Sequence, residues 1–548
     1  TPTACIYTLS LHDALPIYGI IYQIYPRSFQ DSNGDGIGDL AGITQHLDYL
    51  QDLGVDAIWM SPINPSPDVD FGYDVSDYHT IDPKFGNLQD FERLLQEAHK
   101  RNLHIIMDLV LSHSSNQHRW FQESRKSKDN PYHDWYIWRD PAPAGGKPHN
   151  WASIFGGDAW EFDESRGQYY YHMFHKHQPD LNWRNPEVRS TMLDVFRYWL
   201  DKGVDGFRLD VFNNYYQDAL FRDNPKTQSF SVRKLLRKFD AFDHLYDTNQ
   251  PEMIEVVEDI RKIMDSYPDR YVVGETFLVD SASARTYIGP NRLHAGFDYA
   301  FCNAPFSAKA YGKEIQYWDA LHGDDAWPNY FFNNHDTPRS TTRFAKGSSD
   351  AIPKLLLAMQ LTVRGTPYLY YGEEIGMRDI TLTRSQIQDP VGKQYWPFNK
   401  GRDGCRSPMQ WSAKQNAGFT TGEPWLPVNK DFPVRNVESQ VNSPSSMLSF
   451  YKELIRLRRT HPALNAGKLE MIQVDHEDLL VYQRVLNEQK ILIVLNFSKE
   501  IATYQLPTQE FNKWELLYAG NEAMVAQMTE NSLNLPPYGF GILISRSE

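Results

Sequence analysis

The residues best able to do chemistry in this chain sit at the ends of short apolar runs. Residues 203–211 read GVDGFRLDV, a buried strand that finishes on a guanidinium and a carboxylate. Arg208 and Asp210 are two apart, so on a strand they point to one face. Opposite charges at the end of a buried strand are costly unless paired or used. Taken alone, they fit a structural ion pair as well as a catalytic carboxylate held ionised by an arginine. Three more runs end in the same way. Leu103–Val110 contains Asp108 and closes near His113, Tyr271–Gly274 leads into Glu275, and 330–336 ends in His335–Asp336. One polar strand end is usually structural, whereas four converging on one rim make a site. Three carboxylates around one mouth cannot all be ionised without cations or protons, so their proton affinities must be driven apart. One ionised carboxylate, one protonated carboxyl and further groups to grip a sugar are what glycoside cleavage needs. No G-x-S-x-G elbow offers a serine nucleophile.

Bringing those ends together requires parallel strands joined by helices. Eight strand candidates lie near residues 21, 58, 105, 206, 272, 298, 331 and 368. Helical faces fall between them: Ile43, Leu47, Leu50 and Leu53 with Gly54 as stop, and Phe91, Leu94, Leu95 and Ala98. A third has Asn185–Pro186 as its start and Val188, Met192, Val195, Phe196 and Trp199 as its apolar face. A further helix is predicted over 252–265. Eight βα units imply a closed (β/α)8 TIM barrel, whose functional groups come from the C-terminal strand ends. The regular series breaks at 114–178, too long for a loop and read as an inserted small domain after strand 3. The alternating runs LLVYQRV, ILIVLNF and GFGILIS imply a C-terminal antiparallel β-sandwich. The expected divisions are 18–113 and 179–466 for the barrel, 114–178 for the insertion and 467–548 for the all-β domain.

Bulk properties narrow the partners. The chain has 548 residues, 41% hydrophobic and 23% charged, too long for one ordinary core. A formal net charge of −15 argues against nucleic acid or an anionic membrane and fits a neutral small-molecule substrate. No apolar run has the length of a membrane span. Three cysteines without metal spacing, Cys5, Cys302 and Cys405, argue against a disulfide framework and for a reducing compartment. The expectation is a cytoplasmic monomer or weak homodimer, or a periplasmic protein if a native signal was lost from the N-terminus.

Asp31, Asn33, Asp35 and Asp39 place oxygen side chains at positions 1, 3, 5 and 9 of a loop, with Ile37 offering a carbonyl at position 7. That is the front of a calcium-type loop, although the twelfth position is Gly42. One structural divalent cation, Ca2+ or Mg2+, is expected there, and no cofactor for catalysis.

Taken together, the motifs DLVLSH (108–113), QPDLN (178–182), GFRLD (206–210), GET (274–276), NHD (334–336) and GRDGCRSPMQW (401–411) resemble those of glycoside hydrolase family 13, the α-amylase family. Within it they are most similar to the α-glucosidase and oligo-1,6-glucosidase group. The resemblance runs from about residue 18 to the C-terminus. Residues 1–17 have no counterpart in the family, begin with Thr1, and are read as a non-native segment. The resemblance implies that Asp210 is the nucleophile, Glu275 the acid/base and Asp336 the carboxylate that orients the sugar. It implies substrate contacts from Asp74, His113, Arg208, His335 and Arg402, with Phe155, Gln178 and Val211 also at the pocket and Arg406 as a neighbour. Ser112 stands where α-amylases carry a calcium-binding Asn, so that second cation is not expected.

The residues fit these roles. Arg208 would keep Asp210 ionised. Glu275 follows the apolar Tyr271–Gly274, surroundings that would let it keep its proton. The two carboxyls should lie about 5–5.5 Å apart, as in retaining enzymes. The expected activity is a retaining exo-α-glucosidase releasing glucose from short α-glucosides through a covalent intermediate. The alternatives are an oligo-1,6-glucosidase, a glucosyltransferase or sucrose isomerase with the same site, and an inactive homologue serving as a binding subunit. Intact Asp210, Glu275 and Asp336 argue against the last. In the resembled group, Val after the nucleophile accompanies α-1,6 cleavage, so Val211 bears on linkage.

Overall fold

Eight short apolar runs pair into one parallel sheet in a computed structural model that describes residues 17–228, 237–345, 347, 349–506, 514–518, 526–529 and 531–546. Except for Ile17, the segment read as non-native lies outside the described residues, as does Cys5. The barrel strands are β1 (Ile21–Ile24), β2 (Ala57–Met60), β3 (His104–Leu109), β7 (Gly206–Leu209), β8 (Tyr271–Gly274), β9 (Ala295–Gly296), β10 (Asn329–Tyr330) and β11 (Thr366–Tyr370). Their order is β10-β11-β1-β2-β3-β7-β8-β9. Strands covered by helices on one side and packed side chains on the other read as continuous apolar runs, and β1, β2, β7, β8 and β11 are buried at every residue. β9 and β10 end the sheet, and Asn329 Nδ2 donates to the Gly296 carbonyl at 2.8 Å across that seam.

Two strands are shorter than the sequence suggests. The run 295–301 stays extended for two residues, and then Asp298 caps a helix over Tyr299–Asn303 by accepting the Ala300 N–H. The run 330–336 contributes only the end of β10, because Asn334 Oδ1 accepts the N–H groups of Asp336 and Thr337 and folds the chain into a turn. The first predicted helix is two, Leu40–Gln45 and Leu47–Leu53, meeting at His46, with Gly54 in the left-handed conformation as the final cap. The other predicted helices lie over Leu88–Lys100, Pro186–Asp201 and Met253–Asp265, and the first two carry Asn caps at Asn87 and Asn185.

Between β3 and the Pro186–Asp201 helix, β4 (Trp138–Arg139), β6 (Gln168–Tyr171) and β5 (Trp160–Asp163) form a small antiparallel sheet in that order. Its own core includes Trp151, Trp160 and Tyr171. After the barrel come β12 (Lys468–Ile472), β13 (Leu479–Leu486), β14 (Gln489–Asn496), β15 (Ala502–Gln505), β16 (Trp514–Tyr518), β17 (Gln527–Met528), β18 (Ser532–Leu535) and β19 (Phe540–Ser545). They make a five-stranded sheet, β12-β13-β14-β19-β16, facing a three-stranded one, β15-β18-β17. Period-two alternation divides β13 between two cores: Leu480 and Tyr482 join the barrel's, Leu479 and Val481 the sandwich's.

Candidate active site

Strand register assembles the site. In the ladder Asp108 of β3 lies opposite Arg208 of β7, and Arg208 lies opposite Val273 of β8. The ladder continues one step past the strand ends: Asp210 N–H donates to the Leu109 carbonyl at 3.0 Å and Glu275 N–H to the Leu209 carbonyl at 2.9 Å. Asp210 and Glu275 are therefore set at the barrel mouth by backbone bonds. Gly274 has to be glycine, because a Cβ there would overlap the side chains of Phe212 and Leu293.

Arg208 is the hub. Its Nη1 donates to Asp108 Oδ1 at 2.7 Å and to Asp210 Oδ1 at 2.9 Å, and its Nη2 donates to Glu275 Oε2. The guanidinium is fully buried and lies 5.3 Å from the Trp59 ring centre and 5.8 Å from that of Tyr73. One positive charge serves three carboxylates. Burial pushes the Asp210 carboxyl well up, the Glu275 and Asp108 charges push the same way, and Arg208 opposes them. Burial likewise lifts Asp108 to about 6 against the pull of Arg208. Both carboxyls therefore keep a proton more readily than free ones, and Arg208 does not by itself hold Asp210 ionised as the sequence suggested.

Glu275 departs from the apolar setting expected of it. Besides Arg208, the Val211 N–H faces Oε2 at 3.4 Å and the Tyr299 hydroxyl donates to Oε1. Val211 achieves this in the left-handed region, with φ 32° and ψ 42°. For a β-branched residue that conformation costs about 1–3 kcal/mol, a strain typical of functional turns.

Around Asp336 the balance is reversed. Loss of water would raise its carboxyl, but the contact with His335 and the charges of Arg402 and Arg406 outweigh that and hold it well below the usual carboxylate range. Arg402 Nη1 reaches Asp336 at 3.1 Å and Arg406 Nη2 at 2.9 Å. The buried His335 ring is neutral, its pKa pushed down to about 3 mainly by burial. The Gln23 amide donates to its Nδ1 at 2.8 Å, which leaves the proton on Nε2. Nε2 lies 2.5 Å from the Tyr73 hydroxyl and 3.2 Å from Asp336 Oδ2, and Tyr73 in turn donates to Asp108 Oδ2 at 3.1 Å. Tyr73 thus connects His335 to Asp108 by hydrogen bonds, with Asp336 in contact with the same ring.

A cavity of about 980 Å³ opens on these groups; Asp210, Val211, Glu275, Asp336, Arg402, His113 and Phe155 all line it. Arg402 also grips Asp70 at 2.6 Å and Asp389 at 2.7 Å, and its guanidinium lies 5.4 Å from the Phe155 ring centre. His113 is buried, receives a hydrogen bond from Ser112 Oγ at Nδ1 (2.8 Å) and donates from Nε2 to the Tyr73 carbonyl (2.9 Å). Gln178 sits behind it, donating to Asp70 Oδ2 and the Tyr73 carbonyl at 3.3 Å each.

Asp74 does not belong with these residues. Its carboxylate turns into the preceding loop, where it accepts Ser66 Oγ at 2.7 Å and the N–H groups of Val69 and Asp70 at 3.0 Å each. Burial lifts it to about 6, and it does not line the cavity. Asp70 and Tyr73 line it instead. The reason is local: Asp68 and Phe71 adopt positive φ and turn the loop, so the acid four residues earlier faces the pocket. Sequence reasoning also missed Tyr299 and Asp389, which no motif marked.

The loop Asp31–Asp39 stands apart from the cavity as a set of nested turns. Asp31 Oδ1 accepts the Asn33 and Gly34 N–H groups at 2.9 and 2.7 Å, Asn33 Oδ1 that of Asp35 at 2.9 Å, and Asp35 Oδ1 that of Ile37 at 2.8 Å. Asp39 caps the following helix through the Gly42 N–H. Among the described residues no cluster of three or more His, Cys, Asp or Glu is arranged to hold a metal. A cation here would therefore need Asn33 Oδ1 and the Ile37 carbonyl beside the acids, an all-oxygen set of the kind hard divalent ions prefer.

A family model described as "Alpha amylase, catalytic domain" matches residues 23–467, and a second, "Maltogenic Amylase, C-terminal domain", matches 469–542. The chain belongs to the alpha-amylase family. It is 40% identical over 531 residues to a protein named "Probable alpha-glucosidase" from Rhizobium meliloti (strain 1021), covering 95% of each chain. It is 39% identical over 535 residues to an "Oligo-1,6-glucosidase" from Parageobacillus thermoglucosidasius, covering 92% of this chain and 94% of that one. Among solved structures, an alpha-glucosyl transfer enzyme superposes with a TM-score of 0.91 at 39% identity, covering 96% of this chain and 99% of the other. As an alpha-amylase-family glycoside hydrolase, the protein needs no catalytic cofactor.

Proposed function

We propose that this enzyme is a retaining exo-α-glucosidase that releases glucose from the non-reducing end of short α-glucosides. The observation that carries this reading is the single Arg208 guanidinium gripping both Asp210 and Glu275. Two carboxyls hydrogen-bonded to one guanidinium are held close together, and close carboxyls are what a retaining double displacement needs. In the first step an Asp210 oxygen attacks the anomeric carbon. The bond to the aglycone breaks, and Glu275 gives its proton to the departing oxygen. In the second step Glu275 takes a proton from water, the water oxygen displaces Asp210, and glucose leaves with its configuration kept.

The exo mode follows from the far side of the cavity. Arg402 ties Asp70 to Asp336 and Asp389 across the cavity wall, a barrier that would stop a longer chain from running past the terminal sugar. The ionised Asp336 and Arg402 would hold the glucose hydroxyls, with His113 in the cavity wall and His335, which does not line the cavity, buried beside Asp336. Toward the outside the cavity wall turns apolar at Phe277, Leu278, Val279 and Tyr317, and Leu278 and Tyr317 are 47% and 46% exposed. This rim favours a second reading, transfer of the glucosyl group to an acceptor other than water. Product analysis on maltose, isomaltose and sucrose, with and without an alcohol acceptor, tests both readings. Glucose as the main product without acceptor supports the hydrolase. Rearranged or glucosylated products alone would replace it with a transferase or isomerase, and absence of turnover would leave the inactive-homologue reading.

The loop Asp31–Asp39 is proposed to hold one structural divalent cation, Ca2+ or Mg2+, through Asp31, Asn33, Asp35, the Ile37 carbonyl and Asp39. A bound cation stabilises the folded state in proportion to its affinity. Chelation should lower the thermal midpoint and added Ca2+ or Mg2+ restore it; a midpoint indifferent to both contradicts the assignment.

A further inference from the structure

We propose that Tyr299 is a positioning residue for Glu275, orienting the carboxyl that serves the leaving group and steadying it once the proton has gone. This rests on the acid/base reading of Glu275. Tyr299 opens the Tyr299–Asn303 helix directly after its cap, Asp298, whose Oδ1 accepts the Ala300 N–H at 2.9 Å and the Ser281 hydroxyl at 3.2 Å. Its ring stands edge-on to Phe331 at 5.2 Å and lines the cavity. Its hydroxyl donates to Glu275 Oε1, while Oε2 is held by Arg208 Nη2 and the Val211 N–H.

The two oxygens of Glu275 are thus held by different elements, and the carboxyl cannot turn freely. Oε2 lies against a buried cation, which disfavours a proton there. Oε1 is left to carry the proton that the leaving group receives. The charged groups around Glu275 are Arg208 and Asp210 at the end of β7, Asp108 on β3 and Asp336 after β10. Tyr299 supplies a neutral donor to Oε1. As Glu275 gives up its proton, that donor meets a full negative charge and the bond strengthens. It therefore assists most when the leaving group needs the proton most.

Tyr299→Phe removes the hydroxyl and keeps the ring on Phe331. The expected result is a fall in kcat/KM of about tenfold to a hundredfold on maltose, the worth of a hydrogen bond to a charged group. On 4-nitrophenyl α-glucoside, whose leaving group needs little protonation, the fall should be about threefold at most. The alkaline limb of the kcat/KM profile should move to higher pH, the thermal midpoint should stay, and Tyr299→His, which retains a donor, should recover part of the loss. Equal losses on both substrates with an unmoved alkaline limb would overturn the proposal. Glu275→Gln measured alongside separates the two readings. If it discriminates by leaving group while Tyr299→Phe does not, only the role of Tyr299 fails. If Glu275→Gln itself does not discriminate, the acid assignment fails.

Discussion

Replacing Arg208 with Met removes the guanidinium on which Asp108, Asp210 and Glu275 converge and keeps a long side chain in its place. All of those bonds are buried, with side-chain exposures of 0% for Arg208 and Asp108, 9% for Asp210 and 6% for Glu275. Stranding one partner of a buried ion pair costs about 3–5 kcal/mol. Three stranded partners do not triple that figure, because carboxyls that lose a cation take up protons instead. The cost therefore depends on pH. Asp108 is already lifted to about 6, above the value of roughly 3.9 for an unfolded Asp. A group raised on folding lends stability that is complete below its unfolded pKa and is lost as pH rises through its folded one. Without Arg208 the rise is larger, so the loss with increasing pH is larger. Arg208→Met should melt only slightly below the parent near pH 5, and the gap should widen to about 3–5 kcal/mol near pH 7.5. Thermal midpoints of both proteins at the two pH values, at constant ionic strength, measure it. A gap that is equal at both values, or narrower at the higher, would refute the picture of one cation neutralising a carboxylate cluster.

Further outcomes follow from the same geometry. Asp70→Asn should raise KM for maltose about tenfold by breaking the bond to Arg402, while Asp74→Asn should lower the thermal midpoint and leave KM near the parent value; the opposite pattern would return Asp74 to the pocket. Glu275→Gln should hurt maltose more than 4-nitrophenyl α-glucoside, and equal losses would count against its role as the acid. Val211→Thr keeps the shape at the strained turn and adds a hydroxyl; the maltose-to-isomaltose ratio of kcat/KM should rise, and an unchanged ratio would show that Val211 does not govern linkage.

The barrel was legible because a parallel sheet buried on both sides writes itself as apolar runs, and because Asn caps mark the helices at Asn87 and Asn185. The ends of β9 and β10 were not, since Asp298 and Asn334 stop those strands through side chain to backbone bonds that an apolar pattern does not reveal. Arg208, Asp210, Glu275, His335 and Asp336 stood out as polar ends of apolar strands; the structure brings Asp210, Glu275 and Asp336 to one mouth and buries Arg208 and His335 behind them. Asp70 escaped because three aspartates crowd residues 68–74, and only the positive-φ turn at Asp68 and Phe71 decides which one faces inward. The surroundings of Glu275 escaped for another reason. Local sequence placed it after an apolar strand, but the oxygens of its carboxyl meet Arg208 from β7 and Tyr299 from a helix after β9, partners 67 and 24 residues away.

The central claim is that Asp210 becomes covalently bonded to the sugar. Incubation with 5-fluoro-α-glucosyl fluoride, whose glucosyl-enzyme turns over slowly, followed by proteolysis and mass spectrometry, tests it directly. The account predicts one added fluoroglucosyl group on the peptide containing Asp210, absent in Asp210→Asn. A label on another residue, or no label together with release of β-configured glucose from natural substrate, would contradict it.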